Sequence, residues 1–154
     1  MNQGPKPGKS DPMGAAFAAA RAAGALGEIP VGAAIVRAGA TIAVAGNRVI
    51  LDRDPTAHAE MLAIRAAAAM LAGERLVDCD LYVTLEPCAM CAGAISFARI
   101  RRLYYAANDE KGGAVEHGPR FFAQPTCHHA PEIYGGIRAG EAAGLLRDFF
   151  AARR

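Results

Sequence analysis

The stretch LEPCAMC, residues 85–91, places Cys88 and Cys91 three residues apart. On a helix that spacing puts both sulfurs on one face. Such a pair is half of a metal site, and the fold must bring the other half to it. A structural zinc site would close with four soft or borderline ligands. The sequence has no second CxxC, Cys79 and Cys127 stand alone, and His117, His128 and His129 fall in a long loop-like stretch. The best remaining partner is His58 in PTAHAE, at the start of a predicted helix.

His58, Cys88 and Cys91 give three ligands and an open fourth position, which is the catalytic rather than the structural arrangement. Both ligand groups fall at predicted helix starts just after a proline, where partial positive charge favours thiolate. Glu60 lies two residues beyond His58. Mid-helix that spacing splays two side chains about 200° apart, but at a first turn both lean over the helix end. A carboxylate there can take a proton from activated water and deliver it elsewhere. Ala57 and Ala59 leave room for a flat substrate. A lone CxxC is often a buried or redox pair, and a lone His at a helix start is often a cap. HAE followed by PCxxC about 30 residues later is a far stronger signal than either alone. Cys79 reads as a buried thiol, and a second metal site at Cys127, His128 and His129 is the weaker reading of those residues.

At 154 residues, 53% hydrophobic and 21% charged, the chain is of single-domain size and able to fill a core. Residues 1–11 read as a loose, disordered Pro/Gly tail and 12–154 as one domain. The longest uncharged apolar run, 88–98, is too short for a membrane span. No apolar signal core precedes it, so a cytoplasmic location and reduced cysteines are the default. The net charge of +2 says little about partners.

An Ala-rich helix is expected over 12–26. Strands over 31–36 and 41–46, separated by a short Gly-containing turn, predict an antiparallel hairpin. Asp54 and Pro55 predict an N-cap and first helical position. The helix they open carries Met61, Ile64, Ala68 and Leu71 on one face. A strand over 80–86, a helix opened by Pro87, a strand over 101–107 and a loop over 108–130 follow. A C-terminal helix over 141–154 points Leu145, Leu146, Phe149 and Phe150 inward, which makes the two phenylalanines core rather than stacking platforms. The alternation of strand and helix from 41 onward implies an α/β fold with crossovers and parallel pairing.

PTAHAE, TLEPCAMCAGAI, GEIPVGA, GNR and the closing RDFFAARR together resemble the bacterial tRNA-specific adenosine deaminases, within the cytidine-deaminase-like zinc enzymes. The H-x-E…P-C-x-x-C signature is shared across that superfamily, whereas the flanks and tail point to this branch. The resemblance runs from about residue 13 to 154. It implies a three-layer α/β/α fold around a five-stranded mixed sheet, a homodimer, and one Zn2+ per subunit. It also implies hydrolytic deamination of adenosine to inosine at the wobble position of a tRNA anticodon, arginine tRNA being the expected one. His58, Cys88 and Cys91 would bind zinc and Glu60 would be the general acid/base. Asn47 would bond the flipped base, and Ile29, Pro30, Val31 and Ala59 would line its pocket. TCHHAP departs from the family pattern, so no contacts over 124–129 are carried over.

The RNA-facing candidates are Arg99, Arg101, Arg102, Lys111, Arg120, Arg153 and Arg154, with Lys111, Arg153 and Arg154 the best phosphate contacts. Asp109, an acid where a polyanion should pass, reads either as a loop cap or as an acceptor for a ribose 2′-OH. Two rivals stand beside this reading: a deaminase of free guanine, cytosine or nucleosides, and a zinc-stabilised RNA-binding module without catalysis. Glu60 argues against the second, because a structural site has no use for it.

Overall fold

Strand alternation sorts this chain into two cores. In the computed structural model, which describes residues 10–153, strands β1 (Gly32–Arg37), β2 (Ala40–Gly46), β3 (Cys79–Leu85), β4 (Arg102–Ala107) and β5 (Glu132–Tyr134) form one sheet in the order β2-β1-β3-β4-β5. Ala33, Ile35, Leu81, Val83, Leu103 and Tyr105 face one side, where they meet Ala59, Ala63 and Ala67 of helix α2 (Ala59–Leu71) and Ile95 and Ala98 of helix α3 (Ala89–Ala98). The intervening Ala34, Tyr82, Tyr104 and Ala106 face the other, against Met13, Ala16 and Phe17 of helix α1 (Pro12–Ala25) and Ala142 of helix α4 (Ala139–Ala151). Helices on both faces explain why the strands are apolar on every residue rather than on alternate ones. The three-layer α/β/α architecture and five-stranded mixed sheet are those the resemblance implied.

The hairpin forms as expected: β1 pairs β2 antiparallel. The crossover from β2 through α2 does not produce a pair, because β3 lands beside β1, antiparallel to it. The two crossover strands run the same way but with β1 between them. The next crossover, through α3, does place β4 parallel to β3, and β5 adds a further parallel strand at the edge. The local pattern over 108–137 held no signal for β5. It has three exposed residues, too few to show any periodicity.

Three helix ends differ from expectation. Asp54 does not cap α2; its carboxylate accepts from the Thr56 amide and hydroxyl and closes a turn, and His58 takes the N-cap position. Pro87 lies just outside α3, whose N-cap is Cys88. In α4 only Ala142 is fully buried, while Phe150 is 47% exposed and Phe149 half-buried, so Phe150 is not a core residue. At the other end, Asp11, assigned to the tail, is ordered and caps α1 by accepting from the Gly14 amide. The rest of that tail, 1–9, and Arg154 lie outside the described residues. Among the described residues no helix is long and apolar enough to cross a membrane.

The seam between α1 and β1 admits no side chain at Gly32, where a Cβ would overlap the Ala16 carbonyl oxygen. Gly32→Ala is expected to cost about 3 kcal/mol, a fall in melting temperature of roughly 6–12 °C. A loss below about 1 kcal/mol by denaturant titration would mean the seam yields to a methyl group.

Candidate active site

The parallel strands β3 and β4 end on the same side of the sheet, and the site is built there. At His58 the backbone is extended, with φ −73° and ψ 151°, and the helix begins at the next residue. That step outside helical geometry removes the splay expected mid-helix, so His58 and Glu60 both line one cavity of ≈ 380 Å³. Cys88 repeats the device on α3, extended at φ −73° and ψ 176°, and Cys91 follows one turn along. The entry to α2 is pinned by a side chain. Asn47 accepts from the Ala59 amide through Oδ1 and donates to the Ile29 carbonyl through Nδ2, which fixes the start of α2 against the end of β2.

The three expected ligands meet. One donor atom from each of His58, Cys88 and Cys91 lies within 4.8 Å of the others. His58 Nδ1 is 3.6 Å from Cys88 Sγ and 3.5 Å from Cys91 Sγ. Tetrahedral zinc with bonds of about 2.3 Å to sulfur and 2.05 Å to nitrogen separates such atoms by about 3.6 Å. The donor set and its spacing therefore fit zinc. The two thiols act on one another. The Cys91 thiol, with the His58 ring, pulls Cys88 down to about 4 despite burial. Cys91, facing that thiolate and buried, is pushed up. Hydrogen bonding to Cys88 raises the His58 ring. A divalent cation would replace the ligands' protons. No second cluster of this kind occurs among the described residues. Instead Cys127 Sγ donates to the His129 carbonyl, Ser96 Oγ donates to the same oxygen, and the His129 ring meets the Ile100 carbonyl. That trio ties its loop to α3. Cys79 is a fully buried thiol, as expected.

Glu60 is only 4% exposed, and burial pushes its carboxyl above the ordinary range. A carboxyl held ready to carry a proton beside a metal group is the arrangement general acid–base chemistry needs.

The chain matches a family model described as the cytidine and deoxycytidylate deaminase zinc-binding region over residues 8–107. That span contains His58, Glu60, Cys88 and Cys91. The chain belongs to this deaminase family. It is an enzyme, and zinc is its cofactor. A tRNA-specific adenosine deaminase of Agrobacterium fabrum is 58% identical over 92% of this chain and 93% of its own length. A structure from work on A-to-I editing by tRNA:A34 deaminases at the wobble position of transfer RNA superposes with a TM-score of 0.87 at 58% identity, covering 88% of this chain and 98% of that one. A guanine deaminase from Nitrosomonas europaea is more distant, with TM-score 0.79, 28% identity, and coverage of 91% and 83%.

In this deaminase Asn47, Ile29, Val31 and Asp109 line the cavity with the metal group. Pro30 and Ala59 do not. Pro30 is buried against Gly24 of α1, and Ala59 contributes its amide to Asn47. Lys111 and Arg153 sit in a neighbouring groove of ≈ 830 Å³ with Leu146, Arg147 and Phe150. The Arg153 guanidinium lies 3.4 Å above the Phe149 ring. Arg101 and Arg102 are elsewhere. They stand at the opposite end of β4, about 20 Å of strand away from the cavity. There Arg101 makes a bidentate pair with Asp80 and Arg102 pairs with Glu132. Arg99 caps the C-terminus of α3, and Arg120 is exposed before the 3₁₀ turn Phe121–Ala123.

Glu28, Val49, Ile50, Leu85, Glu86 and Gly112, none of them an expected site residue, also line the cavity. Glu28, 1% exposed, accepts from the Ile50 and Leu51 amides and holds their loop over the pocket. An acid between Gly27 and Ile29, at the entry to an apolar strand, was the available signal. Glu86 is buried too. Burial raises its carboxyl, but the His117 ring and the Asp109, Val115 and Glu116 amides outweigh that and hold it below 4.5. Its folded value is thus below its unfolded one. The stabilisation is complete above the unfolded value and is lost as pH falls through the folded value. Between roughly pH 6 and pH 3 the wild type should lose stability more steeply than Glu86→Gln in denaturant titrations. Parallel pH profiles would contradict this account of Glu86.

Proposed function

We propose that this enzyme deaminates adenosine to inosine at the wobble position of a tRNA anticodon, arginine tRNA being the expected substrate. The observation that carries the reading is a single cavity holding Glu60 and the metal group beside Asn47 and Asp109, with a basic, aromatic groove adjoining it. The 58% identity to a tRNA-specific adenosine deaminase supports it over nearly the full chain.

His58, Cys88 and Cys91 would hold the zinc, which when bound supplies a Lewis acid that makes water nucleophilic near neutral pH. Water adds at C6 of the adenine. Glu60 takes a proton from that water and passes it to N1; it then takes the proton of the new C6 hydroxyl and gives it to the amino group, which leaves as ammonia as the C6–N bond breaks, so that adenosine and water become inosine and ammonia. Asn47 orients the base, with Ile29 and Val31 against its faces. Asp109 Oδ1 accepts from the Lys111 and Gly112 amides, which makes it a loop cap as well. Its Oδ2 has no hydrogen bond among the described residues and is the acceptor for a ribose 2′-OH. Lys111, Arg153 and Arg154 would meet phosphates. Extracting a base costs least in a single-stranded loop, which favours an anticodon over a duplex. The four free cysteines are consistent with a cytoplasmic setting. A homodimer would cover Phe97, which is 76% exposed beside Ile64 on the α2–α3 seam.

The zinc-loaded enzyme should form inosine on an anticodon stem-loop with adenosine at the wobble position, and leave free adenosine, cytidine and guanine unchanged. Turnover of guanine without reaction on the stem-loop would assign it to the free-base deaminases instead.

A further inference from the structure

The least expected group near the site is Glu86, which directly precedes Pro87 and Cys88. Its side chain has no exposed surface, yet five donors converge on it. Oε1 accepts from the Asp109 amide at 3.1 Å and faces His117 Nδ1 at 2.7 Å. Oε2 accepts from the Val115, Glu116 and His117 amides at 3.1, 3.1 and 3.2 Å. The loop over 109–117 is wrapped tightly around this carboxylate. A Cβ on Gly113 would overlap the Asp109 carbonyl oxygen and come within 2.5 Å of the Glu86 carboxyl. Two more bonds close the wrap: Gly113 donates to the Asp109 carbonyl, and Ala114 to that of Pro87.

The far side of the same loop is the wall of the reaction cavity. Asp109 and Gly112 line it together with His58 and Glu60. The wall has no regular secondary structure of its own, so its position over the metal group depends on what it is bonded to. One carboxylate accepting five donors is the strongest single fixture available to it, since charge-assisted bonds to buried amides exceed neutral ones. We propose that Glu86, with His117, is a positioning residue that holds the substrate wall over the metal centre. The pair sets how tightly the substrate strand is gripped. One short segment, 86–88, then carries both the anchor of that wall and a metal ligand, so wall and metal keep a fixed spacing. This rests on the proposed function only in the choice of RNA as the substrate to be measured.

His117 offers the cleaner test, because its ring is 29% exposed and tolerates change. His117→Asn keeps a nitrogen donor one bond from Cγ, where Nδ1 sits, whereas His117→Leu has the same shape without it. In zinc-loaded enzyme, hydrogen exchange at the Asp109, Val115 and Glu116 amides would be measured together with zinc content, kcat and KM on the stem-loop. His117→Leu should exchange at those amides roughly tenfold faster and raise KM roughly tenfold, with kcat within about threefold and zinc retained. His117→Asn should restore both to within about threefold of wild type. Glu86→Gln, which turns an amide NH2 toward the donors, should show a larger effect of the same kind. Wild-type exchange and KM in His117→Leu, failure of Asn to rescue, or loss of kcat and zinc in place of a KM change would each overturn the proposal. If the wild type instead acts only on guanine, the RNA reading fails, and the exchange data with KM for guanine still decide the role of Glu86 and His117.

Discussion

Glu60→Ala is expected to keep the fold and the zinc while lowering kcat by roughly 10³-fold or more, the full span of general acid–base assistance. Glu60 is a buried acid beside the metal group, and burial raises its carboxyl. Removing a buried carboxyl relieves the penalty on its charged form and leaves a small cavity, two opposing effects, so the melting temperature should stay within a few degrees of wild type. Glu60→Gln keeps the volume and should lose nearly as much activity, because an amide cannot shuttle a proton. Zinc analysis, melting and single-turnover rates separate the outcomes. If Glu60→Ala lost its metal or unfolded, the carboxylate would be structural and its catalytic assignment would fall.

Cys91→Ala should empty the site. Its sulfur is fully buried one helical turn beyond the Cys88 N-cap, within reach of the His58 and Cys88 donor atoms. With one thiolate gone, His58 and Cys88 remain as two ligands from two elements, α2 and α3, and among the described residues no further side chain belongs to their donor group. Zinc content should drop to roughly a tenth of wild type or less. A metal bound at 100 to 1,000 times its dissociation constant contributes about 3–4 kcal/mol to the folded state, so melting should fall by roughly 10 °C. A chelator should produce the same fall in wild type and none in the variant. Full zinc occupancy in Cys91→Ala would mean that another residue completes the site.

What the sequence disclosed was chemistry carried by side-chain type and spacing. His58, Glu60, Cys88 and Cys91 could be grouped because few other residues can do their work, and the apolar strands announced a sheet covered on both faces. Helix starts were less legible. Asp54 next to proline looks like a cap, and only the turn it closes with Thr56 shows otherwise. The position of β3 beside β1 was hidden because strand order is a tertiary choice that the alternation of elements leaves open. The placement of Arg101 and Arg102 was hidden for the same reason: charge is visible in a sequence, but which end of a strand it decorates is not. Glu86 was missed because its partners are mostly backbone amides 23–31 residues downstream, which have no sequence signature.

The most direct test of the central claim lies in the RNA itself. Inosine reads as guanosine on sequencing, so tRNA from cells depleted of this enzyme should show the wobble adenosine of its substrate unconverted. The wild-type chain should restore conversion, and Glu60→Ala, expressed to the same level, should not. Conversion that persists on depletion, or that Glu60→Ala restores, would contradict a zinc deaminase acting on tRNA through Glu60.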